Sequence, residues 1–179
     1  MASILFHPVV PLTLGYVANR ADVPWRLIVI GMICAILPDF DVIGFKFHID
    51  YHSTFGHRGF THSVLFAAII AAFGFLAAPT LKLKPLATAV FIFIATLSHG
   101  LIDALTNGGL GVAFFAPFSN ERYFFPWQVI EVSPIGIRNF LSERGLTVLN
   151  SELIWIGLPC LFVALTTYIY RQTKSNQHD

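Results

Sequence analysis

The sequence predicts an all-α integral membrane protein of about five apolar helices, some of them short, with a polar cluster at one membrane face. Four observations carry this. Hydrophobic residues make up 55% of the chain and charged ones 12%, whereas about a quarter of a soluble domain is charged. Mean hydropathy is +0.69. The run from Ser63 to Pro79 holds no charged side chain and is about long enough to span hydrocarbon. Finally, Lys and Arg gather at alternate ends of the apolar runs, while Asp and His gather at the others. With a net charge of +1 and no basic stripe, no nucleic-acid partner is expected. Cys34 and Cys160 lie inside apolar runs, which argues against a disulfide framework. The start of the chain has no basic n-region and carries His7-Pro8 and Pro11, so a cleaved signal peptide is not expected.

In chain order, Ile4 to Ala18 reads as a short helix and 19–24 as a turn around Arg20 and Pro24. Trp25 to Leu37 is a second run, and Pro38 marks its expected end. Residues 42–61 read as a polar loop rich in Gly and His. The Ser63 run follows, and then a tight connection with Lys82 and Lys84 leads to a run from Pro85 to about Leu105. Residues 106–150 form an outer, aromatic-rich loop. Within it Ser133 to Gly145 predicts a helix, with Ser as N-cap, Pro at its first position and a terminal Gly. Its apolar Ile137, Phe140 and Leu141 against Arg138, Glu143 and Arg144 suit a helix lying in the interface. Leu153 to Tyr170 is the final span, followed by a polar tail. Residues 1–179 read as a single membrane-embedded domain.

If the five apolar segments alternate in direction, Arg20 with Arg26, Lys82 with Lys84, and Arg171 with Lys174 share one side, which the positive-inside rule makes cytoplasmic. His7, Asp39 with Asp41, His57 with His62, and His99 with Asp103 then meet on the periplasmic or outer side.

His99 and Asp103 are four apart in a helix and share one face. Ionisable residues inside an apolar span are costly and by default functional. Each cluster alone has a plainer reading: a buried pair pinning helices, Asp39 and Asp41 as caps, His7 as an interfacial His. Their convergence at one membrane level favours a metal site. Carboxylates mixed with imidazoles, without thiolates, suit Zn²⁺, and Mn²⁺ or Fe²⁺ also fit. The candidates His7, Asp39, Asp41, His57, His62, His99 and Asp103 are more than one four-coordinate ion needs and fit a two-metal site. The sequence contains no HExxH, CxxC, GxSxG or Walker-type motif, so zincin proteolysis, serine hydrolysis and NTP turnover find no support. His48 and His52, beside Lys46 and Asp50, read as a solvated loop.

Leu37-Pro38-Asp39-Phe40-Asp41, Gly56-His57-Arg58-Gly59-Phe60-Thr61-His62-Ser63 and Ser98-His99-Gly100-Leu101-Ile102-Asp103, with the early His7, resemble the YdjM-type membrane-bound metal-dependent hydrolases of bacteria. The resemblance covers roughly residues 1–120 and implies residence in the bacterial inner membrane. That family is in turn distantly similar to zinc-dependent phospholipase C and zinc nucleases, whose early His, Asp, further His and His-x-x-x-Asp pair bind adjacent zincs. The resemblance therefore implies His7, Asp39, His62, His99 and Asp103 as ligands, with Asp103 bridging. The later His and His-x-x-x-Glu ligands of the soluble enzymes have no counterpart in this sequence.

The function expected is a metal-dependent phosphoesterase acting on a lipid or lipid-linked substrate through two metals, most simply Zn²⁺. Arg58 would clamp phosphate oxygens, or pair within the protein with Asp39 or Asp41. Thr61 and Ser63, at a helix start that favours anions, would help bind the substrate. Asp41 or His57 would take up the proton. The aromatic residues from Phe114 to Trp127 would hold acyl chains or form an aromatic belt. The alternative is a non-enzymatic protein that binds or transports metal. A transporter should place its ligands near mid-membrane, whereas these cluster at one end.

Overall fold

The computed structural model describes residues 1–176, apart from the side chain of Ile137; the end of the expected polar tail, 177–179, lies outside them. The helices are α1 (Val9–Val17), α2 (Trp25–Ile36), α3 (Val64–Ala77), α4 (Pro85–Asp103), α5 (Ile137–Phe140), α6 (Glu143–Glu152) and α7 (Leu158–Ser175). A 3-10 stretch, Leu37–Phe47, continues α2, a second, Phe60–His62, precedes α3, and a π-helical segment, Leu153–Gly157, joins α6 to α7. No strand occurs among the described residues; isolated bridges pair Thr106 with Ile130 and Val112 with Tyr123.

Three helical stretches are long and apolar enough to cross a membrane: Trp25–Phe47, Pro85–Asp103 and Glu143–Ser175. With 14 residues, α3 reaches only about 21 Å at 1.5 Å per residue, less than the roughly 30 Å of a hydrocarbon core. The expected all-α membrane architecture with short and long apolar helices is what the structure shows.

Helix α4 is the axis of the bundle, packing against α1, α2 and α3. Its buried Phe91, Ile92, Ala95 and Ile102 recur at helical spacing and make an apolar stripe. Gly31 of α2 lets that helix close on α4: a Cβ there would lie 2.5 Å from the Phe91 ring, the small-residue contact that brings membrane helices together. Helix α7 packs on α1 and has no buried residue, as suits an outer, lipid-facing span.

The helix boundaries differ from expectation in three places. Pro38 does not end the second run; the chain tightens into 3-10 geometry through Leu37–Phe47, where Pro fits because it sits at the start of the new segment and needs no donated hydrogen bond. The helix expected over Ser133 to Gly145 is broken, with Gly136 at φ 95, a four-residue α5, and α6 starting at Glu143. Gly145 terminates nothing; it passes under the Phe140 carbonyl, which a Cβ would approach to 1.8 Å. The final helix starts before Leu153 and runs through to Ser175.

The basic clusters meet at one end of the bundle. Lys84 Nζ lies 2.7 Å from Asp22 Oδ1, and Arg171 donates to the carbonyls of Val17 and Ala18 at 3.1 and 3.3 Å. Asp103 closes the opposite end of α4, 19 residues or about 28 Å away.

Candidate metal centre

Helix α4 delivers His99 and Asp103 in its last turn, both fully buried, on one face as their spacing requires. The 3-10 stretch after α2 delivers Asp39 and Asp41. Three residues per turn put positions two apart on different sides, so Asp39 turns toward His99 while Asp41 turns toward His57. The loop before α3 delivers His57, Arg58 and His62. Its tight path needs glycine: a Cβ on Gly56 would lie 2.2 Å from the Asp50 carbonyl oxygen, and one on Gly59 2.3 Å from that of Thr54. Between them Arg58 adopts the left-handed region at φ 60, rare for a residue with a side chain, and is fully buried.

Ligand atoms of Asp39, His62, His99 and Asp103 all lie within 4.8 Å of one another, and so do those of Asp41, His57 and His62. The buried His/Asp cluster could thus hold a metal ion, and His62 stands between the two groups. His99 Nδ1 lies 2.7 Å from the Ala35 carbonyl oxygen. A carbonyl only accepts, so Nδ1 carries the proton and the Nε2 lone pair points into the cluster. His62 Nδ1 faces Asp41 Oδ2 at 3.2 Å, which fixes its proton in the same way. The two Nε2 atoms consequently confront each other at 3.0 Å, with Asp39 Oδ1 at 3.3 Å from His99 Nε2 and Asp103 Oδ2 at 3.6 Å from His62 Nε2.

Two lone pairs and two carboxylates around one point require a cation. Burial opposes a charge on His62, but the Asp103 and Asp41 carboxylates outweigh it and push its pKa up to about 9, so without a metal a proton takes that place. His57 differs: burial lowers its pKa despite the hydrogen bond to Asp41. The fit to a metal has further support in atoms without partners. Both oxygens of Asp39 and both ring nitrogens of His7 are buried without a hydrogen bond, a costly state for polar groups. His7 stacks on His99 with ring centroids 3.7 Å apart, and its Nε2 faces Asp103 Oδ1 at 3.7 Å. Asp103 thus presents its two oxygens to different imidazoles.

Asp41 is occupied in another way. It accepts from His57 Nδ1 at 2.6 Å, Thr61 Oγ1 at 2.7 Å and the Arg58 backbone N–H at 3.2 Å. That is the arrangement of a carboxylate orienting a ligating imidazole.

The residues expected to meet a substrate have internal duties. Arg58, expected to clamp a phosphate, donates from Nε to Asp103 Oδ2 at 3.0 Å, from NH1 to the Gly108 carbonyl at 2.9 Å and from NH2 to Thr106 Oγ1 at 2.8 Å. Its anion is Asp103 rather than Asp39 or Asp41. Ser63 caps α3, accepting from Phe66 N–H at 3.0 Å, and Thr61 serves Asp41. His48 and His52 stay apart: His52 pairs with exposed Asp50, and His48 ends the 3-10 stretch.

Sequence reasoning missed Glu152. It is fully buried, accepting from Ser3 Oγ at 2.6 Å and from the Ser3 backbone N–H, while the neighbouring Ala2 N–H donates to Asp103 Oδ1 at 2.6 Å. The N-terminal segment is a strap between Glu152 and the metal-ligand candidate Asp103. The available signal was an acid directly abutting an apolar run.

The family model described as YdjM inner membrane protein matches residues 1–176 of the chain. Inner membrane protein YbcI of Escherichia coli (strain K12) is 40% identical over 160 residues, which cover 89% of this chain and 92% of that one. No solved structure matches.

Proposed function

The chain belongs to the YdjM family of inner membrane proteins, and from that premise we propose that the buried His/Asp cluster is the dinuclear centre of a membrane-bound hydrolase, a phosphoesterase acting on a lipid or lipid-linked substrate. The observation that supports this reading best is the pair of imidazole lone pairs, His62 Nε2 and His99 Nε2, at 3.0 Å. Asp39, His62, His99 and Asp103 would hold one ion, and His7 would take part in holding the second. Zn²⁺ ions held there, or Mn²⁺ or Fe²⁺, would supply hydroxide at neutral pH and charge to neutralise a phosphoryl oxyanion.

The chain's own groups complete the site. Arg58 is a positioning residue that aims Asp103. Asp41 fixes the tautomers of both His62 and His57. With Nδ1 bonded to Asp41 and its pKa lowered by burial, His57 is held neutral, with its other nitrogen able to accept a proton. The basic end with Lys84 and Arg171 lies in the cytoplasm by the positive-inside rule, so the centre faces the periplasm. A cluster at one end, with no matching Asp/His cluster at the other among the described residues, suits catalysis at a surface better than metal transport.

The test is elemental analysis of protein purified without chelator, combined with turnover of p-nitrophenyl phosphate, bis-p-nitrophenyl phosphate and a short-chain phospholipid. The expected result is at least about one metal per chain and hydrolysis of a phosphoester that stops on chelation. Bound metal with no turnover would leave a metal-binding protein; less than about one metal per chain would remove the centre itself.

A further inference from the structure

Beside the cluster lies a cavity of about 280 Å³ walled by Ile4 and Leu5, by Val42 of the 3-10 stretch, and by Ile135 and Phe140. Asp39 reaches into this predominantly apolar wall. It is 4% exposed, and neither of its oxygens accepts a hydrogen bond. An unpartnered carboxylate in such surroundings is expensive; the metal reading gives it an ion, and the apolar space beside it remains for what that ion acts on. Ile4, Leu5 and Ile135 in the wall are about half exposed and apolar, which gives the cavity an apolar edge at the protein surface, beside the polar Ser3 and Ser133.

We propose that this cavity receives the hydrocarbon chain of an amphiphilic phosphoester, entering with the chain against Ile4, Val42 and Ile135 and the phosphate beside Asp39. The substrate class is therefore a lipid phosphate ester rather than a water-soluble one. The volume decides how much enters. At about 280 Å³ it lies just below the roughly 300–1,000 Å³ of sites that enclose a whole small molecule, so it takes one chain, and the rest of a larger lipid stays in the bilayer. Charge decides what stands beside Asp39. Asp39 itself repels a phosphate, so the head group stands beside it only when metal ions held by Asp39, His62, His99 and Asp103 offset that charge. The placement of the head group thus rests on the metal reading, while that of the chain does not. Among the described residues, none of the aromatic side chains from Phe114 to Trp127 lines the cavity, which moves the chain site away from the loop the sequence suggested.

The experiment uses the full chain in lipid nanodiscs with two probes, dodecyl phosphate carrying a terminal diazirine and the corresponding uncharged dodecanol, with cross-links mapped by mass spectrometry. Cross-links are expected within residues 3–5 and 133–140, suppressed by excess dodecyl phosphate and not by inorganic phosphate. Ile135→Trp, and independently Ile4→Trp from the facing wall, should lower them at least about tenfold with metal content unchanged. Unsuppressed labelling spread over α7, or equal labelling of wild type and both variants, would overturn the cavity. Cavity labelling by the dodecanol probe in protein with less than about one metal per chain would uphold the chain site while sinking the metal reading. Bound metal without cavity labelling by either probe would overturn the chain site alone.

Discussion

His62 and His99 present their Nε2 atoms to each other at 3.0 Å, each with its Nδ1 proton committed elsewhere, to Asp41 and to the Ala35 carbonyl. At that one point a metal ion and a proton would compete, and several expectations follow from who holds each partner in place.

Replacing His99 or Asp103 by Ala should strip the metal and lower thermal stability together, because metal binding to the folded state is coupled to folding. Elemental analysis and a melting curve with and without chelator check both. Full metal content in both variants would remove these residues from the ligand set.

Asp41→Asn should behave differently from His62→Ala. An orienting carboxylate is worth about 10–100-fold in metal affinity, so the Asn variant should bind more weakly yet still bind, whereas the loss of His62 should abolish binding at that ion. Chelator competition separates the two. Equal, complete loss would make Asp41 a ligand itself.

Metal affinity should rise with pH. Without metal, Asp103 and Asp41 hold His62 protonated up to a pKa of about 9, and the bound cation displaces that proton, so fewer protons are bound in the metal-loaded state. The sign follows: affinity should increase about tenfold per pH unit through neutrality and flatten as pH passes that pKa. Calorimetry in buffers of different ionisation enthalpy should show about one proton released per ion; no release would show that His62 is already neutral.

Arg58→Lys should lose metal and stability along with any turnover. The guanidinium satisfies Asp103, Thr106 and Gly108 at once, and an ammonium cannot reproduce that fork. Outright removal in Arg58→Ala should cost about 3–5 kcal/mol, the usual consequence of leaving a buried charge unpaired. Wild-type metal and melting with lost turnover would instead restore Arg58 as a phosphate clamp.

Glu152→Gln should weaken metal retention from a distance, through Ser3 and Ala2 to Asp103. The amide can accept from only one of the two Ser3 donors at a time, so the loss should be smaller than for Asp103→Ala. Unchanged metal affinity and melting would show that the strap does not hold Asp103.

What could be read from the chain alone followed from local rules. The His99–Asp103 pair needs only the helical repeat, and the apolar runs need only composition and length. Arg58 could not be matched to its partner, because 45 residues separate it from Asp103 and only the packing of the loop onto α4 joins them. Pro38 reads as a stop because a 3-10 continuation leaves no periodic apolar signature. Ser133 to Gly145 reads as one helix because its glycines look like termini, whereas the close approach of the Phe140 carbonyl explains Gly145. The division of labour between Asp39 and Asp41 was equally hidden: both flank Phe40, and only the three-residue turn sends them to different imidazoles.

The strap from Glu152 through Ser3 and Ala2 to Asp103 joins positions 149 and 101 residues apart, which sets a clock for biogenesis. At about 5–20 residues per second, the ribosome finishes the Asp103 helix several seconds before residue 152 emerges to anchor the strap. During that interval α4 stands in the membrane with its carboxylate incompletely tied down. On the metal reading, ion loading would be a late event of maturation, and a nascent chain arrested short of Glu152 should insert its early helices yet hold metal poorly.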